Sequence, residues 1–356
     1  MKKLNGMKYM VGLLFGLMLY SCSKKPANHS QMTRTITDMA GRKVEIPEHI
    51  KTAFVDRHSV QMVYAFDTIL PVNRVFNYTI MEKRYLKKSF YANKPYVIEG
   101  ATEEIMRLHP DVVLYSQPLT PENIDEVNAL QKKINIPVIL MNADITKYKQ
   151  TLAFLGMILD KEGKAAELIG FIKKRIDPIF EQAKKIPIAH RKRVYYAEGM
   201  KGLNTDPSGS VHSLLIDMLG AKNVAQTDVL PGKGMSSVSI EQIYKWNPDM
   251  IVVWSGNFDS MDSYRCIKSS VEWKKLPAVE RNAVYQVPWR PFGWIDRPPG
   301  INRLIGVAWL AHLLYPQYFH TDVEAITKEY FDKFCHYTIS DKELKEILNP
   351  QPKIDK

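Results

Sequence analysis

The sequence predicts an α/β protein of two similar lobes, each built on a parallel sheet, with one long helix joining them. Three observations lead there. The first is an internal repeat: residues 103–116 read EEIMRLHPDVVLYS, and residues 241–255 read EQIYKWNPDMIVVWS. Aligned on Pro110 and Pro248, Glu103 matches Glu241, Ile105 matches Ile243 and Asp111 matches Asp249, all 138 residues apart. The second is the apolar run after each Pro-Asp, 112–114 and 250–253, each with a serine at its end (Ser116, Ser255). A short amphipathic helix must stop before the proline, because the residue preceding proline is pushed out of the α region. An unbroken apolar run then suits a strand buried on both faces of a parallel sheet. The third is the longest helical pattern in the chain, from about Thr146 to Lys185, which lies between the two copies.

Each element can be justified in order. Thr35 to Asp38, Gly41-Arg42 and Val44 to Pro47 alternate around a glycine turn and predict a β-hairpin. Ala53-Phe54-Val55 is a first core strand, followed by the polar loop 56–59 and a helix over 60–66. Arg74-Val75-Phe76 predicts a second strand, Val112 to Tyr115 a third and Val138 to Met141 a fourth, with a helix over 121–134. Such strand–helix alternation argues for a parallel sheet. In the long pattern, Ala165, Leu168, Ile169, Ile172, Ile176 and Ile179 recur at helical spacing, with a break near Asp160 and a kink or restart at Asp177-Pro178. Arg193 to Ala197 opens the second lobe, and Ala283 to Val287 is a late strand. Closing helices follow over 303–315 and 322–348, the latter broken near Thr338.

The formal net charge is +11, and it falls to +8 once Lys2, Lys3 and Lys8 are removed with a leader. Basic residues concentrate at 83–88 (KRYLKK) and 190–193 (HRKR), yet no zinc-finger or RNA-binding signature accompanies them. We expect a solvated surface and no nucleic-acid partner. At the N-terminus, the basic head precedes an apolar stretch of 11 residues, Tyr9 to Leu19, too short for a span that needs about 20. It ends in Leu19-Tyr20-Ser21-Cys22, which resembles a bacterial lipobox. The implied processing is lipid attachment at Cys22, with residues 22–32 as a polar tether and a cell-envelope location on a membrane surface. Cys266 and Cys335, 69 residues apart, are expected as unpaired thiols.

Leader, lipobox, the opening TDMAGRKVEIP, two copies of E-x-I-x-x-x-x-P-D and the long connecting helix together resemble one family over residues 33–348. It is the metal-chelate class of periplasmic substrate-binding proteins, which serve ABC importers of ferric siderophores, haem and cobalamin. The resemblance implies two Rossmann-like lobes, 33–145 and 191–350, a connecting helix region over 146–190, and a leader over 1–21. It also implies a small-molecule chelate or anion held in the cleft and delivered to a permease, with no cofactor. Some relatives carry molybdate, tungstate or nickel chelates, so the family does not name the ligand. It further implies permease docking through Glu103 and Glu241. The competing reading is an ordinary helix-start glutamate.

Ligands of open α/β sheets bind beyond the carboxyl ends of the strands. That rule selects Arg57, His58, Tyr78, Tyr115 and Ser116 in the first lobe, and Trp254, Trp289, Arg290, Trp294 and Arg297 in the second. Aromatic faces suit a planar chelate, and arginine forks suit carboxylates or oxyanions. Two readings remain for several of these: Trp289 and Trp294 either meet ligand or pack under the closing helices, and Arg297 either clamps ligand or pairs with Asp296. Trp246 matches Leu108 in the repeat and reads as core. An enzyme is not expected. Residues 206–210 (DPSGS) lack the G-x-S-x-G frame, Gly232-Lys233-Gly234 is too short for a phosphate loop, and metal-binding His-x-x-His or Cys-x-x-Cys spacings are absent. A secreted basic protein that binds nucleic acid or an anionic surface is the alternative of a different class.

Overall fold

The first hairpin pairs β1 (Thr33–Thr37) with β2 (Lys43–Pro47) antiparallel, from Thr33 opposite Pro47 to Thr37 opposite Lys43. This computed structural model describes residues 32–56, 58–67, 83–91, 102–228, 234–255, 261–297 and 299–350. The predicted strand at Arg74 to Phe76 lies outside them, as do Arg57, Tyr78, the leader and Cys22.

In the N-terminal lobe β3 (Ala53–Val55) leads into α1 (Val60–Tyr64). The repeat unit gives α2 (Thr102–Leu108) and β4 (Val112–Gln117), followed by α3 (Pro121–Ile134) and β5 (Val138–Asn142). The sheet order is β3-β4-β5, all parallel. Thr120 caps α3 by accepting from the Asn123 backbone N–H, Pro121 sits at its first position, and Asn135 ends it in the left-handed region.

The connector follows α4 (Tyr148–Ile158) and starts after a reversal at Asp160, whose φ is +54°. It runs as α5 (Glu162–Phe171), a π turn over Ile172–Ile176, and α6 (Asp177–Ala183). Pro178 has no N–H for the α pattern, and the wider turn just ahead of it lets the helix pass without stopping. At 1.5 Å per residue the whole spans about 33 Å.

The C-terminal lobe holds β6 (Arg193–Ala197), β7 (Lys222–Asn223), the second repeat copy as α7 (Ile240–Trp246) and β8 (Met250–Val253), and β9 (Val284–Gln286). Its order is β9-β8-β6-β7, again all parallel. Three helices close it: α8 (Arg303–Leu314), α9 (Val323–Cys335) and α10 (Asp341–Leu348). The break between the last two comes at His336, in the left-handed region, and Ser340 restarts the helix with a capping box to Glu343.

Both sheets are buried on both faces, which explains their unbroken apolar sequences. Alternate strand residues enter different clusters. Val194, Tyr196 and Val252 join a large central core, while Tyr195, Ala197 and Ile251 join a second one. In the N-terminal lobe Val112 and Leu114 face the central core and Val113 faces a third. The central core also takes the inner faces of α5, α8 and α9, so it unites the lobes from Thr33 onward as one compact unit. Gly306 of α8 is required by packing, since a Cβ there would lie inside the carbonyl oxygen of Trp294. Trp246 and Leu108 both pack against cores, as the repeat predicts. Cys335 is buried and Cys266 half-buried, and both are free thiols. No described helix is long and apolar enough to cross a membrane.

Candidate functional site

The carboxyl end of each sheet carries polar side chains fixed by their neighbours. In the N-terminal lobe β3 is followed by Asp56, which is buried and accepts from the Ser59 backbone N–H at 3.0 Å, capping the turn into α1. Its other oxygen lies 3.2 Å from Nδ1 of His58, so the imidazole is held just beyond the strand end. Tyr115 and Ser116 form the end of β4, the first half-buried and the second buried.

In the C-terminal lobe Glu198 follows β6 directly, Trp254 follows β8, and residues 287–297 follow β9. Arg297 joins all three. Its Nε donates to Glu198 Oε1 at 2.9 Å, its Nη2 to Asp206 Oδ2 at 2.5 Å, and Asp296 Oδ2 lies 3.4 Å from Nε. The guanidinium also sits over the Trp254 ring, 5.1 Å from its centroid. Asp296 meets Nδ1 of His212 at 2.7 Å and faces the buried Arg303 at 3.9 Å. Arg303 in turn donates to the carbonyls of Ile295 and Val211. Of the two readings of Arg297, the structure gives it close contacts with three acidic side chains, Glu198, Asp206 and Asp296.

Burial inside this network pushes the Glu198 carboxyl up to about 9, the Asp206 charge pushes the same way, and Arg297 opposes them. Glu198 is therefore a neutral acid at pH 7. For Arg297, burial works against the charge, and the acidic neighbours Glu198 and Asp296 more than offset it, so its affinity for the proton rises. Ligand atoms of Asp206, His212 and Asp296 lie within 4.8 Å of one another, as a metal would require. Arg297 and Arg303 already supply the positive charge there, at 2.5 Å from Asp206 and 3.9 Å from Asp296. The chemistry is that of an ion-pair network rather than a cation cage.

The tryptophans divide. Trp294 is fully buried, lies in the central core and donates its Nε1–H to the Arg290 carbonyl at 3.0 Å, which is the packing reading. Trp289 is 4% exposed, with the Arg290 guanidinium 5.0 Å from its ring centroid. Tyr85, whose ring packs against Phe331 and Tyr337, feels that guanidinium. The positive charge draws down the Tyr85 hydroxyl, which burial otherwise raises.

Sequence reasoning passed over a second polar group at the lobe boundary. Gln61 of α1 is 2% exposed, and among the described residues neither its Oε1 nor its Nε2 has a hydrogen-bond partner. Asn302 donates to the Gly293 carbonyl, and its Oδ1 likewise lacks a partner. A Cβ at Gly300 would lie 2.9 Å from Asn302 Oδ1 and 3.4 Å from Gln61 Oε1, so glycine keeps open a niche that both amides flank. Beside it Tyr148 donates to the Gly300 carbonyl at 3.0 Å, tying the lobes together. A lone glutamine in a short, fully buried helix gives no sequence signal for such a position.

Glu103 and Glu241 stand at equivalent places, in the first turns of α2 and α7, and both are exposed. Each carboxyl is held below its ordinary range, chiefly by its own backbone N–H and then by the preceding Thr102 or Ser239 hydroxyl. Each helix runs back against the strand that follows, which sets both glutamates on the carboxyl-end side of the sheets.

Two α/β lobes with parallel sheets, a connecting helix and polar side chains gathered at the strand ends define a bilobal solute binder. Residues 59–291 match the model of the family described as periplasmic binding protein. The chain belongs to that family and is a substrate-binding protein of the ABC-importer type. It is 25% identical to the molybdate-binding protein MolA of Haemophilus influenzae, over 89% of this chain and 95% of that one. It is 24% identical to the putative ABC transporter substrate-binding lipoprotein YhfQ of Bacillus subtilis, over 77% of this chain and 88% of that one. Among solved structures, an ABC transporter solute binding protein from Sulfurospirillum deleyianum superposes with a TM-score of 0.80 at 28% identity, covering 88% of this chain and 98% of that one.

Proposed function

We propose that this chain captures a compact anion, of the size and charge class of molybdate or tungstate, between its lobes and hands it to an ABC permease. The observation that carries this reading is the position of Arg290, just beyond the carboxyl end of β9 with its guanidinium over the Trp289 ring. His58, held by Asp56 beyond β3, adds a second nitrogen donor on the N-terminal side. The likeness to MolA supports the same ligand class. A ferric siderophore, haem or cobalamin-type chelate, the ligand class that the family resemblance suggests, calls for aromatic faces open to the cleft. Trp294 is fully buried, Trp289 is covered by Arg290, and Trp254 carries Arg297. Lipid attachment at Cys22 and docking of Glu103 and Glu241 on permease arginines complete the proposal, since opposed charges set register and specificity of docking.

A thermal-shift panel tests it with molybdate, tungstate, ferric siderophores, haem, cobalamin and nickel with histidine. A ligand at about 100 times its dissociation constant adds about 2.7 kcal/mol. A shift with the oxyanions alone supports the proposal. A shift with a bulky chelate and none with oxyanions replaces the ligand class, and no shift with any of them removes it.

A further inference from the structure

The segment between the connector and the second lobe, 184–193 (KKIPIAHRKR), carries five Lys or Arg in ten residues and no acidic residue. It leaves α6 and enters β6, so it lies at the amino end of the C-terminal sheet, opposite the strand ends where Glu198 and Trp254 sit. Lys184, Lys185, Arg191 and Arg193 are exposed and Lys192 is half-exposed. Lys222 extends the patch, being the register partner of Arg193 across the β6–β7 pair. Two carboxylates border it. Glu181 pairs with Lys184 at 2.7 Å, and Asp249 accepts from the Arg193 backbone N–H at 2.9 Å. Positive charge remains in clear excess. In its midst stands Ile188, 82% exposed, the most exposed large hydrophobic side chain of the described residues.

Nothing in the fold requires an apolar side chain there. Ile186, two residues earlier, is 2% exposed and fills the core position of the same loop. A branched aliphatic side chain ringed by cations matches a surface that offers negative charge outside and hydrocarbon a few ångströms below. We propose that this loop is a membrane-contact site for anionic phospholipid headgroups, with Ile188 entering the interface. Such a contact directs the carboxyl ends of the C-terminal strands away from the bilayer. The protein then waits for solute with its cleft toward solution, and delivery through the Glu103 and Glu241 face requires the body to turn over. That last step rests on the proposed permease docking, whereas the lipid contact does not.

The test is vesicle co-sedimentation of the part from Thr33 to Lys356, whose hydrophobic cores all lie within it. Vesicles of phosphatidylcholine alone are compared with vesicles holding roughly 30% phosphatidylglycerol, at about 0.1 M and about 1 M salt. We expect binding to the anionic vesicles, abolished by high salt. Each cation removed costs about fivefold, so the quadruple variant Lys184→Gln, Lys185→Gln, Arg191→Gln, Lys192→Gln should lose on the order of several hundredfold. Ile188→Ser should weaken binding several-fold at unchanged charge. A control removes the same charge elsewhere, by Lys132→Gln, Lys274→Gln, Lys275→Gln and Lys342→Gln, all exposed positions, and should bind nearly as the parent does. Equal loss in the control would reduce the effect to net charge and overturn the site. So would binding that ignores phosphatidylglycerol, or tighter binding to duplex DNA than to the vesicles through the same four cations.

Discussion

The buried acid Glu198 gives the sharpest quantitative prediction. Its carboxyl is fully buried beside Asp206, and burial lifts it from an ordinary 4.5 to about 9. The folded state therefore holds a proton that the unfolded chain releases above pH 5. A raised folded value means that this contribution is complete below the unfolded value and is lost as pH rises toward the folded one. Between about pH 5 and pH 9 the cost is about 1.4 kcal/mol per pH unit. Glu198→Gln copies the neutral acid, because its Oε1 can still accept from Arg297 and its amide can donate to Asp206. The substitution removes the titration while keeping those contacts. From pH 6 to pH 8 the parent should lose about 2.7 kcal/mol relative to the variant, or roughly 5 °C in Tm for a chain of this size. Differential scanning calorimetry across that range measures it directly. Suppose instead that Glu198 is a carboxylate paired with Arg297 at neutral pH. The variant would then be less stable throughout and the two pH profiles would run parallel, which would refute the reasoning.

Other substitutions probe the remaining assignments. Arg297→Met leaves the buried Asp206 without its paired cation and removes the contacts to Glu198 and Asp296, and should cost about 3–5 kcal/mol in denaturant unfolding; a stable variant that only loses solute would make Arg297 a ligand clamp instead. Trp294→Ala should cost about 3–5 kcal/mol by emptying the central core, whereas a ligand-stacking tryptophan would change affinity with little effect on the midpoint. Gly306→Ala drives a Cβ into the Trp294 carbonyl and should destabilise by about 1–3 kcal/mol, read by the same unfolding curves. Charge reversal at both docking candidates, Glu103→Arg with Glu241→Arg, should abolish uptake in cells while calorimetric solute affinity stays at the parental value; unchanged uptake would reduce them to helix-start residues.

Much of the fold was legible because burial on both faces writes strands as unbroken apolar runs, which made both repeat copies readable. Helix limits were legible where chemistry punctuates them, at Pro121 and at Asp160, and the break near Thr338 falls between Cys335 and Asp341. Proline predicted a disturbance at 178, and the structure supplies it as a π turn one step upstream. The site was less readable. The sequence leaves Arg297 open between a ligand clamp and a pair with its neighbour Asp296, whereas in the structure it also meets Glu198 and Asp206, 99 and 91 residues away. Partners so distant are fixed by tertiary packing and leave no local pattern. The same limit applies to Trp294, because a tryptophan in an irregular segment has no periodicity to say which way it faces. Gln61 and Asn302 are invisible for a related reason, since each matters only through the other lobe.

The central claim is that a compact anion binds between the lobes at Arg290, and isothermal titration of molybdate tests it most directly. Parent and Arg290→Gln protein are titrated in parallel, with unfolding curves to check that the variant is folded. The account predicts saturable binding by the parent and a loss of at least about tenfold in the variant, since a charge-assisted bond is worth about 1.5–3 kcal/mol. Equal affinity in the two proteins, or binding of a ferric chelate in place of the oxyanion, would contradict it.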